Sequence, residues 1–117
     1  MSTATDGYIE SWAAIAMAFN TRGDLDPFYE LLSDDCTMDM GADRAVDKAD
    51  IKTRLDANQA AGWYAYHPMT MTAHGPFLVA VSRNLMRDGT AFLVAGAFRF
   101  DDAGKIVEIR QMNTVPA

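Results

Sequence analysis

FLVAVSRNLMRDGTAFLVAGAFRFDDAGKIVEIRQMN, running from Phe77 to Asn113, decides the fold. It holds three apolar, alternating runs separated by two turn signals. Asp88-Gly89 is a strong two-residue hairpin signal. Asp101-Asp102-Ala103-Gly104 is a second turn, rich in residues that bond their own backbone. The stretch therefore reads as a meander, with strands from Phe77 to Arg87, Thr90 to Phe100 and Lys105 to Asn113. A two-residue turn at Asp88-Gly89 sets Arg87 opposite Thr90, Leu85 opposite Phe92, Arg83 opposite Val94, Val81 opposite Gly96 and Val79 opposite Phe98. One face then carries Val79, Val81, Arg83, Leu85, Phe92, Val94, Gly96, Phe98 and Phe100. The other carries Leu78, Ala80, Ser82, Asn84, Met86, Leu93, Ala95, Ala97 and Arg99. The bulky face is expected to cover helices. The flatter face is expected to meet a second copy of the chain in a homodimer.

Upstream, His67, Met69, Met71 and Ala73 alternate with Pro68, Thr70 and Thr72, and Gly75-Pro76 follows as a turn. This predicts one more strand, with His67 and Met69 facing inward. The first half reads helical. Tyr8, Trp12, Ile15, Ala16 and Phe19 recur at helical spacing, and Gly23 is a C-terminal cap. Asp26-Pro27 opens a second helix, with Asp26 as its N-cap and Phe28, Leu31 and Leu32 as its stripe. Cys36, Met38 and Met40 alternate as a short strand, and Met40 to Val46 is a loop. Asp47 caps a third helix from about Lys48 to Ala60, closed by Gly62.

Composition bounds the function. The 117 residues suit one domain, residues 1–117. Half are apolar and 22% are charged, and the mean hydropathy is -0.08, an ordinary globular balance. A net charge of -6 speaks against nucleic acid and against anionic membrane surfaces as partners. The short polar start is not a signal peptide, and no apolar run is long enough to span a bilayer, so a cytoplasmic location is expected. The lone Cys36 excludes an internal disulfide; Asp34, Asp35 and Asp39 beside it would raise its pKa, and it reads as a small core residue. His67 and His74 stand apart, so no metal site is expected.

The order of helices, short strand, helix and long meander resembles the nuclear transport factor 2-like superfamily, which includes ketosteroid isomerase and the SnoaL-like polyketide cyclases. The resemblance covers about Tyr8 to Thr114. Its carriers are Asn20-Thr21-Arg22-Gly23-Asp24-Leu25-Asp26, Leu31-Leu32-Ser33-Asp34-Asp35-Cys36-Thr37-Met38 and Phe98-Arg99-Phe100-Asp101-Asp102-Ala103-Gly104-Lys105-Ile106-Val107. It implies an α+β cone, in which a curved antiparallel sheet wraps three N-terminal helices around an apolar pocket, and a dimer through the outer sheet face. By the same likeness, the tyrosine, base and acid of ketosteroid isomerase fall on Ala16, Met40 and Gly96. All three functional groups are missing, so that mechanism is not expected.

Other polar groups then become the candidates. Arg83, inward by the register above, is either a clamp for a ligand oxygen or a rim residue reaching water. His67 is either a general acid–base or a hydrogen-bonded wall histidine. Trp63, Tyr64 and Tyr66 form either an aromatic lip or a seal between helix and sheet. Trp12, Met38, Met40, Met69, Phe92, Val94 and Phe98 would supply the apolar wall, and Gln111 and Asn113 would orient a ligand. The expected function is to hold a hydrophobic small molecule in the cone, with cofactor-free isomerase, cyclase or hydratase chemistry through His67 and Arg83. The alternatives are a binding or dimerisation module without chemistry.

Overall fold

A computed structural model describes the backbone of residues 3–116 and the side chains of residues 7–112. Helix α1 spans Thr3–Arg22 and α2 spans Asp26–Leu31. Strand β1 (Leu32–Asp39) and the two-residue β2 (Arg44–Ala45) precede helix α3 (Lys48–Ala60). Four strands complete the chain: β3 (Trp63–His74), β4 (Phe77–Met86), β5 (Ala91–Phe100) and β6 (Ile106–Pro116). They form one six-stranded sheet in the order β2-β1-β6-β5-β4-β3. All neighbouring strands are antiparallel except β1 and β6, which run parallel. The expectation of a purely antiparallel sheet is corrected at that pair, because α3 and the meander return the chain beside β1 from the same end.

Local chemistry accounts for the element ends. Gly23 follows α1 with φ of 65°, a left-handed turn that costs glycine little, and its N–H bonds Phe19 O at 2.8 Å. Helix α2 corrects the expected cap. Leu25 holds the N-cap position, and Asp26 and Pro27 are the first helical residues. The Asp26 N–H bonds Asp24 Oδ1 at 3.0 Å. Asp47 caps α3 as expected, its carboxylate accepting from the Asp50 N–H at 2.8 Å. Asp47→Ala should therefore lower stability by about 1 kcal/mol, read as a shifted urea midpoint with an unchanged slope.

The core lies between α1, α2, α3 and one face of the sheet. Phe19, Leu32, Cys36, Ile51, Leu78, Ile106 and Ile109 are fully buried there. Burial, with Asp35 and Glu108 adding repulsion, pushes the Cys36 thiol up to about 12. The aromatic residues of α1 meet the sheet directly. Tyr8 stacks on Phe100 at 3.8 Å, Trp12 lies 4.2 Å from Phe98 and Phe19 lies 4.2 Å from Trp63. Asn20, near the end of α1, clasps β3: its Nδ2 donates to Tyr66 O at 2.9 Å, and its Oδ1 accepts from Tyr66 N at 2.7 Å.

Three irregularities, one in the β4–β5 loop and two in β3, set which of these strands' side chains face this core. Between the bonded residues Met86 and Thr90 the β4–β5 connection holds three residues, Arg87, Asp88 and Gly89, instead of two. Met86 N bonds Thr90 O and Gly89 N bonds Met86 O, each at 3.0 Å, and Gly89 sits at φ of 94°. This is a type I turn closed by a left-handed glycine, for which Asp-Gly is as well suited as it is for the tighter turn. The Asp88 carboxylate steadies it by accepting from Thr90 N at 2.9 Å. The pairing becomes Ser82 with Val94, Ala80 with Gly96 and Leu78 with Phe98. A one-residue slip turns every β4 side chain to the opposite face. Leu78, Ala80, Ser82 and Asn84 are consequently buried inside, whereas Phe77, Val79 and Arg83 are exposed outside. The outer face therefore presents Phe77, Val79, Leu93, Ala95, Ala97 and Met112, not the β4 residues expected there.

Strand β3 carries two bulges against β4. One extra residue, Tyr64, lies between the Trp63–Met86 and Ala65–Leu85 pairs. A second, Met69, lies between the Pro68–Ser82 and Thr70–Val81 pairs. The second bulge restores the expected inward direction of Met71 and Ala73 but leaves Met69 62% exposed and His67 outside. Among the described residues no helix is long and apolar enough to cross a membrane.

Candidate functional site

The sheet and helices do not close completely on one another. They leave a cavity of about 340 Å³, a size common among small-molecule sites. Its floor is apolar and buried: Trp12, Ile15, Phe28, Met38, Phe98 and Ile109. Its more exposed lining comes from Met40, Arg54, Asn58, Met86 and Phe92, which mark the mouth. The helices supply one wall because α1 repeats apolar residues at helical spacing, and β5 supplies another through Phe92, Val94, Gly96 and Phe98.

Of the residues expected at a site, Trp12, Met38, Met40, Trp63, Tyr66, Phe92, Val94, Phe98 and Gln111 do line this cavity. Four do not. Arg83 points from the outer face because of the three-residue loop, a position that leaves its charge in water. His67 pairs with Arg83 across β3 and β4, is exposed, and has its Nδ1 3.4 Å from Asn20 Nδ2. Tyr64 is extruded at the first bulge, with the Arg87 guanidinium 5.3 Å from its ring centre. Met69 is extruded at the second. The side chain of Asn113 lies outside the described residues.

The reversed β4 brings in groups that the expected register hid. Asn84 is 5% exposed on the cavity wall, and its Oδ1 accepts from Trp63 Nε1 at 2.7 Å. Directly across the strands stands Tyr66, whose hydroxyl accepts from Trp12 Nε1 at 2.9 Å. Burial pushes the Tyr66 phenol above its usual range, against the pull of Ser82 and Trp12, so it is a neutral hydroxyl at physiological pH. Ser82 lies close enough to favour the ionised phenol, yet its buried Oγ meets no partner at hydrogen-bond geometry among the described residues. One signal for this register was available in the sequence: it takes a guanidinium off an apolar wall and replaces it with an amide.

Charge is confined to the mouth. Arg54 Nε bonds Asp50 Oδ1 at 3.1 Å, its Nη1 bonds Asp43 Oδ2, and its Nη2 donates to Arg44 O at 3.0 Å. The guanidinium is thus engaged on three sides. Hydrogen bonds from Val46 N and from Arg54 in turn hold the Asp50 carboxyl below its ordinary range. No carboxylate and no imidazole lines the cavity among the described residues. Nor does any group of three His, Cys, Asp or Glu among them lie placed to hold a metal ion. Chemically, the cavity can enclose an apolar body and offer it neutral hydrogen-bonding groups.

The architecture has close counterparts among solved structures. A nuclear transport factor 2-like protein of unknown function from Burkholderia xenovorans LB400 superposes with a TM-score of 0.83 at 16% identity, covering 99% of this chain and 89% of that one. The chain has the nuclear transport factor 2-like fold. A steroid delta-isomerase from Pseudomonas aeruginosa shares this fold at a TM-score of 0.74 and 17% identity, over 98% of this chain and 82% of that one. So does a de novo designed protein with a curved β-sheet, at 0.79 and 12%, over 97% and 88%. No family model and no curated protein matches the sequence. At such identities the likeness extends to the nuclear transport factor 2-like cone and stops there. Within that cone, Ala16, Met40 and Gly96 all line the cavity, where the resemblance puts the isomerase's groups. A side chain at Gly96 would need the Phe98 ring to give way by a few tenths of an ångström. A Cβ there would stand 3.0 Å from the Phe98 ring.

Proposed function

We propose that this protein binds a neutral, largely apolar small molecule inside its cone. The observation that carries the reading is the cavity itself: a buried aromatic and aliphatic floor, an open mouth, and a few neutral polar groups on one wall. That combination matches the general chemistry of ligand pockets. Acid–base chemistry through His67 and Arg83 loses its support, because neither side chain reaches the enclosed volume. Among the described residues the cavity lining includes no carboxylate and no imidazole, so the reading is of binding, with no proton-transfer step assigned. The cyclase, isomerase and hydroxylase names among proteins of this fold are consistent with small molecules as ligands of such cones.

The test uses N-phenyl-1-naphthylamine, an uncharged fluorophore that brightens in apolar surroundings. It should bind the native chain and be displaced by other apolar molecules. Ala16 faces the cavity from α1, so Ala16→Phe places a ring in the enclosed space without crossing a packed layer. Binding should weaken by at least about tenfold, roughly the loss of 1.4 kcal/mol of contact, with the melting temperature maintained. Unchanged binding in the plugged variant would move the ligand off this cavity, and no binding by the native chain would remove the reading.

A further inference from the structure

The mouth of the cavity has three sides, and they are not held equally. Arg54 and Asn58 of α3 form one, and the wholly buried Ile51 anchors that helix. Met86 and Phe92 form the second, beside the β4–β5 turn. That turn is tied by Met86 N to Thr90 O at 3.0 Å and by Arg87 N to Gly62 O at 2.8 Å. Met40 forms the third, where the chain leaves β1 and runs through residues 41–44, all of them exposed. A segment with so little buried surface belongs to the part of a fold that opens most readily. Gly41 gives it a hinge: its φ is 85°, and no atom lies within 4 Å of where a Cβ would stand. Ala45, fully buried and paired with Met38, ends it. Between those points the chain is a strap along the mouth.

One side chain joins this strap to α3. Arg54 leaves the helix, lines the mouth and ends on the strap, where its Nη1 bonds Asp43 Oδ2 and its Nη2 donates to Arg44 O at 3.0 Å. Its Nε stays tied to Asp50 on its own helix. Among the described residues no other hydrogen bond or ion pair runs between residues 41–44 and α3. The pair stands in water, with the Asp43 side chain 65% exposed. Exposed pairs hold weakly and are screened by salt. The strap is therefore fastened by a contact that can break while the core stays intact.

We propose that residues 41–44 form a gate that narrows the mouth, latched by the Arg54–Asp43 pair, and that ligands pass in and out when the latch opens. The proposal rests on the cavity reading above and adds how that cavity is reached. Asp43 does not line the cavity, so the latch sets the rates of passage and leaves the affinity alone. Losing it raises the open fraction, and entry and release accelerate by the same factor.

Stopped-flow mixing with N-phenyl-1-naphthylamine reads both rates. The probe is uncharged, so salt does not steer its approach. Raising sodium chloride from about 0.02 M to about 0.5 M should speed entry and release in the native chain together, by about threefold. Asp43→Asn should be faster by a similar factor already at low salt and should respond to salt no further. Its dissociation constant and melting temperature should match those of the native chain, a rate change that a merely structural ion pair would not produce. The salt series on the native chain needs no variant to fold. Native rates that ignore salt, or native rates in Asp43→Asn, overturn the gate and leave the cavity reading standing. So does a variant whose affinity falls while its entry rate holds, because Asp43 would then act on the bound ligand. Failure of the native chain to bind the fluorophore overturns both.

Discussion

Trp12→Ala is expected to cost about 3–5 kcal/mol of folding stability, a large share of the 5–15 kcal/mol typical of a domain. The indole is 4% exposed and stands at the junction of every layer. Its ring lies 4.2 Å from Phe98 on β5, 5.5 Å from Phe28 on α2 and 6.0 Å from Tyr66 on β3. Truncation removes those contacts, enlarges a space that is already open on one side, and takes away the donor to the Tyr66 hydroxyl. Because the cone is held apart by the sheet's own hydrogen bonds, the surroundings have little scope to collapse into the gap. Trp12→Phe separates the two parts. It keeps most of the ring contact and loses only the hydrogen bond, so about 1–2 kcal/mol should go. Urea unfolding of both variants checks the pair. An alanine variant within 1 kcal/mol of the native chain would show that the indole is not a keystone of the packing.

The second large effect should follow from Asn20→Ala, at about 2–4 kcal/mol. Asn20 contributes little apolar area. Its amide instead closes a two-bond clasp on the backbone of Tyr66, at 2.9 Å and 2.7 Å, joining the end of α1 to β3. Without it the N–H and carbonyl of Tyr66 lose their partners beside the packed helix, and each carries the desolvation cost of an unmet polar group. Exposed Thr21→Ala, one position on, should stay within about 0.5 kcal/mol. A stability equal to that of Thr21→Ala would show that the clasp is dispensable.

Much of this architecture was legible in the residues. Tyr8, Trp12, Ile15 and Phe19 repeat at helical spacing, and all face the core. Asp47 marked the start of α3 because only a side chain that bonds backbone N–H groups suits that position. Phe92, Val94, Phe98, Ile109 and Gln111 alternate with period two, and the cavity lies on their side of β5 and β6. The register shifts of that pair, between Phe92 and Val94 and between Arg99 and Phe100, leave these side chains on the expected face.

The misplaced residues all lie on β3 and β4. Strand β4 has apolar side chains on both faces, Val79 and Val81 on one and Leu78 and Ala80 on the other, so alternation alone could not orient it. Its direction was borrowed from the turn, and Asp88-Gly89 suits both a two-residue and a three-residue loop. The bulges of β3 at Tyr64 and Met69 each add one residue without altering the apolar pattern in any way a sequence shows. Amino-acid order by itself determined the helices, the long strands and their succession, because local propensity and period report on single segments; the cone came from the family resemblance, and the two-residue β2 lies inside what reads as a loop. Which wall carries Asn84, and which side His67 and Arg83 occupy, was decided only when the strands paired. Burying a guanidinium is costly, burying an amide held by an indole is not, and one extra residue in a loop is enough to exchange them.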